Sequence, residues 1–294
     1  MNESIVAAFS LVLGTATPGG GFPVFGDAYT AVINAAEPRL RIQAQNTKGS
    51  SENVPLLEAG KLDLGLIAGE YASALMARPD TKLRVVAAMY SSPGLFIVKG
   101  DSPVRRIADL KGKPVVLGTQ GSGITVLGRT VLDSLGVEVS PIVLEKAADG
   151  PLMLADGRAA ALWGAGVGWP AFGAIAKAGG RFIAPGADEI RAILAKNPQL
   201  QQVTLPAKSY AGQDAPVPSV GSWSFIFAKA DLPEGAGYLL ARALHRSEAQ
   251  LAAKLEQARE TTLANTLAAS PRRELIHPGV LKYLREAGLE GARR

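Results

Sequence analysis

The segment from residue 46 to residue 68, NTKGSSENVPLLEAGKLDLGLIA, constrains the fold more than any other part of the chain. Ser50 can cap a helix, and Glu52 supplies an acid in its first turn. Gly60 provides a left-handed stop, after which an apolar run from Leu62 to Ile67 predicts a buried strand. A helix, a tight turn and a strand in direct succession are typical of an α/β fold.

The N-terminus of this predicted helix is a candidate anion site. The first amides of a helix have no acceptor within the helix, and they carry a partial positive charge that favours an anion. Ser50, Ser51 and Asn53 are therefore candidate hydrogen-bond donors to a carboxylate. The alternative interpretation is that these three residues cap an ordinary helix.

A glycine-rich loop follows a strand predicted over residues 6–13. Successive glycines let a backbone approach a ligand closely, but the spacing is not that of a dinucleotide fingerprint and no P-loop lysine follows. The loop is either a ligand contact or a purely structural turn. Its candidate contact residues are Thr15, Thr17, Gly20, Gly21 and Phe22.

A second strand, glycine loop and helix succeed one another from Pro114 to Leu135, where Gly136 closes the helix. The candidate ligand contacts in this unit are Gly121, Ser122 and Thr125, with helix capping again as the alternative. We expect the two glycine loops to lie on opposite lobes. A ligand that contacts both loops would then be clamped when the lobes close.

Two breaks in the strand pattern predict where the chain passes between lobes. The strand expected over residues 83–90 is interrupted at Ser91–Gly94 before a second strand over 95–98, and a strand over 220–227 returns the chain. We therefore expect an α/β fold of two lobes joined by crossing strands. The first lobe comprises residues 1–91 and 222–294, and the second comprises residues 92–221.

Polar and aromatic residues also follow predicted strands, where open α/β sheets bind ligands. Glu70 and Tyr71 follow the 62–67 strand, and Trp163 and Trp169 flank the loop after a strand over 159–163. The three aromatic residues are typical of small-molecule pocket walls, although each could be core packing. Glu70 would repel an anion, unless it binds a ligand amine or hydroxyl group, or a cation.

The composition excludes several classes of function. Basic residues are scattered although the formal net charge is +5, which argues against a nucleic-acid face. Cysteine is absent, so neither disulfides nor thiolate chemistry are available. The two histidines, His245 and His277, lie in the C-terminal helical region, and we expect His277 to cap or pack there. No catalytic residue, cofactor or metal site is predicted.

The apolar segment IVAAFSLVL near the N-terminus is interpreted as a buried first strand. A signal peptide would carry basic residues before its apolar core, whereas Glu3 precedes this one and the first basic residue is Arg39. If the protein is exported, we expect the sequence to be the mature part with an added methionine.

Five fragments in order resemble the TAXI family of solute-binding proteins of tripartite (TRAP) transporters. The fragments are GTATPGGGF, KGSSENVPLLEAGKLDLGL, DLKGKPVVLGTQGSG, LPAKSYAGQDAPVPSVG and LIHPGVLKYLREAGL. The resemblance implies a type II periplasmic-binding-protein-like fold with a small organic anion between its lobes. It also implies a periplasmic protein without its signal peptide, acting as a monomer that delivers its ligand to a membrane permease.

The sequence departs from that family at two places. Gly21-Phe22-Pro23 stands where the family commonly has two tyrosines, and Ala68-Gly69-Glu70 replaces an expected amide-containing segment. Both changes argue against glutamate or glutamine and make an apolar or aromatic carboxylate an equal alternative. Two other functions stay open: an ABC-transporter receptor for a sulfonate or similar anion, and an enzyme on the same scaffold.

Overall fold

The computed structural model describes residues 8–270 and 272–289, and these residues form three β-sheets covered by α-helices. The strands are β1 (Phe9–Gly14), β2 (Leu40–Gln45), β3 (Leu64–Ile67), β4 (Arg84–Ser91), β5 (Gly94–Val98), β6 (Pro114–Thr119), β7 (Ser140–Leu144), β8 (Ala161–Ala165), β9 (Arg181–Ile183), β10 (Gln201–Leu205), β11 (Val217–Gly221) and β12 (Trp223–Ala228). The α-helices are α1 (Gly21–Ala36), α2 (Ser50–Glu58), α3 (Gly69–Ala77), α4 (Gly123–Leu135), α5 (Asp149–Ala155), α6 (Pro170–Lys177), α7 (Ala187–Lys196), α8 (Glu234–Lys254), α9 (Leu263–Ala269) and α10 (Pro278–Glu286).

Two five-stranded sheets organise the molecule. The first has the order β2-β1-β3-β12-β4 and the second has the order β7-β6-β8-β5-β9, while β10 and β11 form a separate pair. In each large sheet, parallel strands lie beside one returning antiparallel strand, β12 in the first and β5 in the second. Apolar clusters are buried with each large sheet, so the fold is a mixed α/β fold with two cores.

The chain passes between the two large sheets at two adjacent points. β4 belongs to the first sheet and β5 to the second, and β12 returns to the first sheet directly after Ser222. The crossings touch, because the Ser92 amide donates to the Ser222 carbonyl at 3.1 Å. We propose these points as lobe boundaries, with residues 1–91 and 222–294 in the first lobe and 92–221 in the second.

The helix starts and stops in the glycine-containing units are confirmed. α2 begins at Ser50, and Gly60 follows it with a φ of +67°. α4 ends at Leu135 and Gly136 caps it with a φ of +65°. His277 caps α10, because its Nδ1 accepts from the Gly279 amide at 3.2 Å.

Local structure differs from the predictions at three places. The strand expected over 220–227 is two strands, because Ser222 separates β11 from β12. Glu70 and Tyr71 follow β3 as expected, but they lie in the first turn of an additional helix, α3, whose N-cap Ala68 has no capping side chain. The loop between Trp163 and Trp169 is shorter than expected, because β8 extends to Ala165 and α6 starts at Pro170. The start of α3 has no side-chain signal in the sequence, whereas a proline at the first position of α6 is a typical helix start.

Some predictions reach beyond the described residues. β1 starts at Phe9, and residues 6 and 7 of the expected first strand lie outside the described part. The dipeptide Ser270-Pro271 predicts a break before the last helix, and its Pro271 also lies outside the described part. Among residues 8–270 and 272–289, every helix is too short or too polar to cross a membrane.

Candidate ligand-binding site

A cavity lies between the two large sheets and is walled by both. Its volume is about 80 Å³. A cavity of this size has room for several water molecules or a small organic group. Its lining comprises Ala16, Thr17, Gly20, Gly21, Phe22, Gly49, Ser50, Ala68, Tyr90, Ser92, Val116, Gly118, Thr119, Ser122, Gly123, Ile124, Leu144, Ala147, Leu162, Ala165, Trp169, Ser224 and Gln257.

Three helix N-termini converge on this cavity. Gly21 and Phe22 open α1, Ser50 opens α2, and Gly123 opens α4. The first turns of α1 and α4 contain no acidic residue. The lining contains no Asp, Glu, Lys, Arg or His, so helix termini supply the favourable potential for an anion.

The N-termini of α2 and α4 face each other across the two lobes. The Ser51 amide donates to the Gly121 carbonyl at 3.4 Å, and a methyl group at Gly121 would overlap the Ser51 hydroxyl. A methyl group at Gly123 would likewise overlap the Ala68 side chain. The lobes therefore touch beside the cavity, and glycine is required for this close approach.

Trp169 forms a fixed aromatic wall. Its amide donates to the Tyr210 hydroxyl at 2.8 Å, and that hydroxyl donates to the Gly166 carbonyl at 3.0 Å. The indole packs edge-on against Phe172, with ring centroids 4.8 Å apart, and lies over Gly164, where a methyl group would overlap it. This packing leaves the indole little freedom to move away from a ligand.

Six polar side chains in the lining make no hydrogen bond to any other described residue. They are Thr17, Tyr90, Ser92, Thr119, Ser224 and Gln257. Their polar atoms face the cavity, so they are free to form hydrogen bonds with a molecule bound there. Burial raises the pKa of Tyr90, which keeps its hydroxyl group neutral.

The structure brings about half of the predicted contact residues to the cavity. Thr17, Gly20, Gly21, Phe22, Ser50, Ser122 and Trp169 belong to the lining, whereas Thr15, Ser51, Asn53, Glu70, Tyr71, Gly121, Thr125 and Trp163 lie outside it. No ligand contact has been tested for any residue of either group, so each role stays a prediction.

The buried polar residues behind the lining have protein partners. Asn53 is fully buried, and its Nδ2 donates to three backbone carbonyls, while the Thr15 hydroxyl donates to the Gln45 carbonyl. The Thr125 hydroxyl donates to the Thr119 carbonyl at 2.8 Å. Trp163 is also fully buried, and its Nε1 donates to the Ile124 carbonyl at 2.8 Å. These residues fix the backbone of the two loops, while Tyr71 packs against the apolar cluster of the first lobe.

Glu70 lies at the junction of the lobes, outside the cavity lining. Its Oε1 accepts from the Ser222 hydroxyl at 2.6 Å, and a methyl group at Gly123 would lie 3.3 Å from its Oε2. It has no ion-pair partner among the described residues. Burial raises the pKa of Glu70, and the hydrogen bond from Ser222 opposes that shift only in part.

We expect the Glu70→Gln variant to change the pH dependence of stability. An unfolded chain holds a glutamate near its ordinary pKa of about 4.3. Burial raises the pKa of Glu70 in the folded state. The stability that Glu70 contributes is therefore complete below the unfolded-state pKa, and it is lost as pH rises through the higher folded-state pKa. As pH rises from acid to neutral, the melting temperature of the wild type should therefore fall relative to that of Glu70→Gln. Parallel curves would contradict this expectation.

Sequence reasoning missed the polar residues at the crossing strands. The interruption at Ser91–Gly94 marked one crossing, and adjacent Tyr90 and Ser92 could have been proposed as pocket residues on that ground. Gln257 carries no comparable signal, because it reaches the cavity on a 3₁₀ turn, Glu256–Glu260, that follows the long helix α8.

Several solved structures share this fold, two periplasmic binding proteins among them. Malate-bound MatC of Rhodopseudomonas palustris has a TM-score of 0.62 at 16% identity, covering 95% of this chain and 96% of that one. The periplasmic binding protein BugD has a TM-score of 0.61 at 12% identity, covering 96% and 98%. The aliphatic sulphonate binding protein SsuA of Escherichia coli has a TM-score of 0.51 at 18% identity, covering 95% and 84%.

These likenesses confirm the expected type II periplasmic-binding-protein-like fold. At such low identities they concern the fold alone. The sequence assigns the chain to a family as well as a fold, because the model of the NMT1-like family matches residues 13–288. The chain therefore belongs to the NMT1-like family.

Proposed function

We propose that the protein is an extracytoplasmic receptor that captures a small organic anion in the cavity between its lobes. The receptor acts as a monomer in the periplasm and delivers the anion to the permease of a TRAP transporter, as its resemblance to the TAXI family implies. It performs no chemistry on the ligand and needs no cofactor.

The convergence of the N-termini of α1, α2 and α4 carries this proposal. α1 and α2 belong to the first lobe and α4 to the second, so an anion held between them contacts both lobes. The amides of Gly21, Ser50 and Gly123 have no acceptor among the described residues, so they suit a carboxylate without any charged side chain. Binding and lobe closure are then a single event, which is what a receptor that presents its ligand to a permease needs.

The walls of the cavity favour a carboxylate with an apolar or aromatic body. Apolar side chains from both lobes, including Phe22, Leu144, Leu162 and Trp169, make up much of the lining. No basic side chain is present to neutralise a second carboxylate, and no acidic side chain is present to pair with an ammonium group. This arrangement argues against dicarboxylates and amino acids as the preferred ligands.

A sulfonate receptor of an ABC transporter is the second candidate. The same backbone amides would hold a sulfonate group, and a sulphonate-binding protein, SsuA, shares the fold. An ATPase gene beside this gene would favour this alternative, whereas a gene for a multi-helix permease alone would favour the TRAP assignment.

Thermal unfolding against a panel of small anions tests the proposed function. The panel contains monocarboxylates, aromatic acids, dicarboxylates, amino acids and sulfonates, added to protein that has been unfolded and refolded to remove bound host ligand. A ligand at 100 times its Kd adds about 2.7 kcal/mol of stability, which gives a clear shift in melting temperature. We expect hits among apolar or aromatic monocarboxylates. A flat panel from refolded protein would contradict the receptor proposal, and hits among sulfonates alone would favour the ABC alternative.

A further inference from the structure

We propose that Gln257, Tyr90 and Ser224 form a second subsite that binds an uncharged, oxygen-bearing group of the ligand. The ligand is then an apolar monocarboxylate that also carries a hydroxyl or carbonyl group away from its carboxylate. This inference rests on the proposed function, because it assigns the other end of the same molecule.

Gln257 is a buried amide without a protein partner. Its side chain is 6% exposed, lines the cavity and makes no hydrogen bond to any other described residue. Its amide group faces the cavity, so a ligand group can accept from its Nε2 or donate to its Oε1 without displacing a protein partner.

Tyr90 and Ser224 lie on β4 and β12, the two paired strands that lead to the crossings. These strands are antiparallel, and their register shifts between the pairs Ser91–Trp223 and Ala88–Phe225, where Tyr90 and Ser224 lie. Both residues are 3% exposed, and both hydroxyls lack a partner among the described residues. Together with Gln257 they line the same cavity and offer it donors and acceptors.

The turn that carries Gln257 is held firmly against the same strands. The Glu260 carboxylate accepts from the Ser91 amide at 2.8 Å and from the Ser91 hydroxyl at 2.9 Å. Ala258 is buried in the core of the first lobe. A methyl group at Gly166 of the second lobe would lie 2.6 Å from the Gln257 Nε2, so the amide sits directly against the opposite lobe. Such a fixed group loses little conformational freedom when it binds a ligand.

The chemistry of this subsite selects a neutral group. Gln257 and Ser224 carry no charge, and the raised pKa of Tyr90 keeps its hydroxyl group protonated at neutral pH. An ionised group buried here would lack a cation, and the cost of removing it from water is large. A hydroxyl or carbonyl group instead exchanges its water for neutral partners of matching strength.

Matched ligand pairs test this inference by titration calorimetry. The probes are hexanoate, 6-hydroxyhexanoate and adipate, with phenylacetate and 4-hydroxyphenylacetate as an aromatic pair. We expect a hydroxy acid to bind the wild type about tenfold more tightly than its parent acid, because a site built for a hydrogen bond rejects analogues that lack it. In Gln257→Leu, this preference should disappear, so that the hydroxy acid and its parent acid bind with equal affinity.

Controls separate this subsite from the receptor proposal. Tyr90→Phe removes one hydroxyl with little change of shape and should reduce the same preference, whereas Gln202→Leu on the exposed face of β10 should leave it intact. Equal binding of parent and hydroxy acids by the wild type would overturn the subsite and leave the carboxylate receptor standing. Tightest binding of adipate would also overturn it, since a charged group would then be preferred. Binding of none of these acids would contradict the receptor proposal as well.

Discussion

Replacing Gly123 with alanine should weaken binding of the best carboxylate from the panel on the order of tenfold to a hundredfold. The new methyl group would overlap Ala68, so α4 would have to move away from α3. Overpacking of this kind typically costs about 1–3 kcal/mol, which corresponds to that loss of affinity when only the closed state is affected. The anion donors on α2 and α4 would then no longer reach one ligand together.

Calorimetry and small-angle scattering measure the effect of Gly123→Ala. We expect the wild type to become more compact at saturating ligand and the variant to stay expanded. Gly173→Ala is the matched control, because nothing lies within 4 Å of the added methyl group in α6. Without ligand, the melting temperature of Gly123→Ala should stay close to that of the wild type. Unchanged affinity and compaction in the variant would show that the contact between α3 and α4 is not needed for binding.

Replacing Asn53 with alanine should destabilise the protein by about 3–5 kcal/mol, a large value for one substitution. Its Nδ2 donates to the carbonyls of Gly14, Thr15 and Leu66, and its Oδ1 accepts from the Thr47 hydroxyl. Asn53 therefore joins β1, the following loop, α2 and the end of β3. Its loss removes a donor from each of these carbonyls, although the Thr15 carbonyl keeps the Thr47 hydroxyl, and each buried group left unpaired costs about 1–3 kcal/mol.

Urea unfolding measures this loss as a change in the free energy of unfolding. Asn53→Asp should be at least as destabilising, because a carboxylate cannot donate and would face the same carbonyl oxygens. Asn197→Ala is the comparison, since Asn197 caps α7 at a half-buried position and donates to the Ser134 hydroxyl and the Ile193 carbonyl. That change should cost about 1 kcal/mol. A loss of less than about 1 kcal/mol for Asn53→Ala would contradict the proposal that Asn53 holds these elements together.

Local signals in the sequence predicted those parts of the fold that depend on neighbouring residues. A capping serine, a left-handed glycine and an apolar run place α2 and β3 with little error, because each acts within a few residues of itself. α3 was missed for the same reason, since its N-cap Ala68 offers no side-chain signal. The split at Ser222 depends on which sheet each half joins, and such pairing is a property of distant residues.

The cavity shows a similar division between local and distant information. Local sequence patterns predicted Phe22, Ser50 and Ser122 as ligand contacts, and all three line the cavity. Asn53 has the residue type of a ligand donor, yet it is used for the backbone, and sequence alone cannot tell these uses apart. Gln257 lies 88 residues beyond the last predicted contact, Trp169, and only the packed structure brings both to the same cavity.

Under the proposed function, the use of helix termini in place of charged side chains has an evolutionary consequence. The anchor for the proposed anion is encoded in backbone conformation, which most single substitutions leave unchanged. The walls, by contrast, consist of side chains such as Phe22, Leu144 and Leu162 that can be exchanged one at a time. Selection can therefore change which acid the receptor prefers without passing through an intermediate that has lost its hold on acids in general.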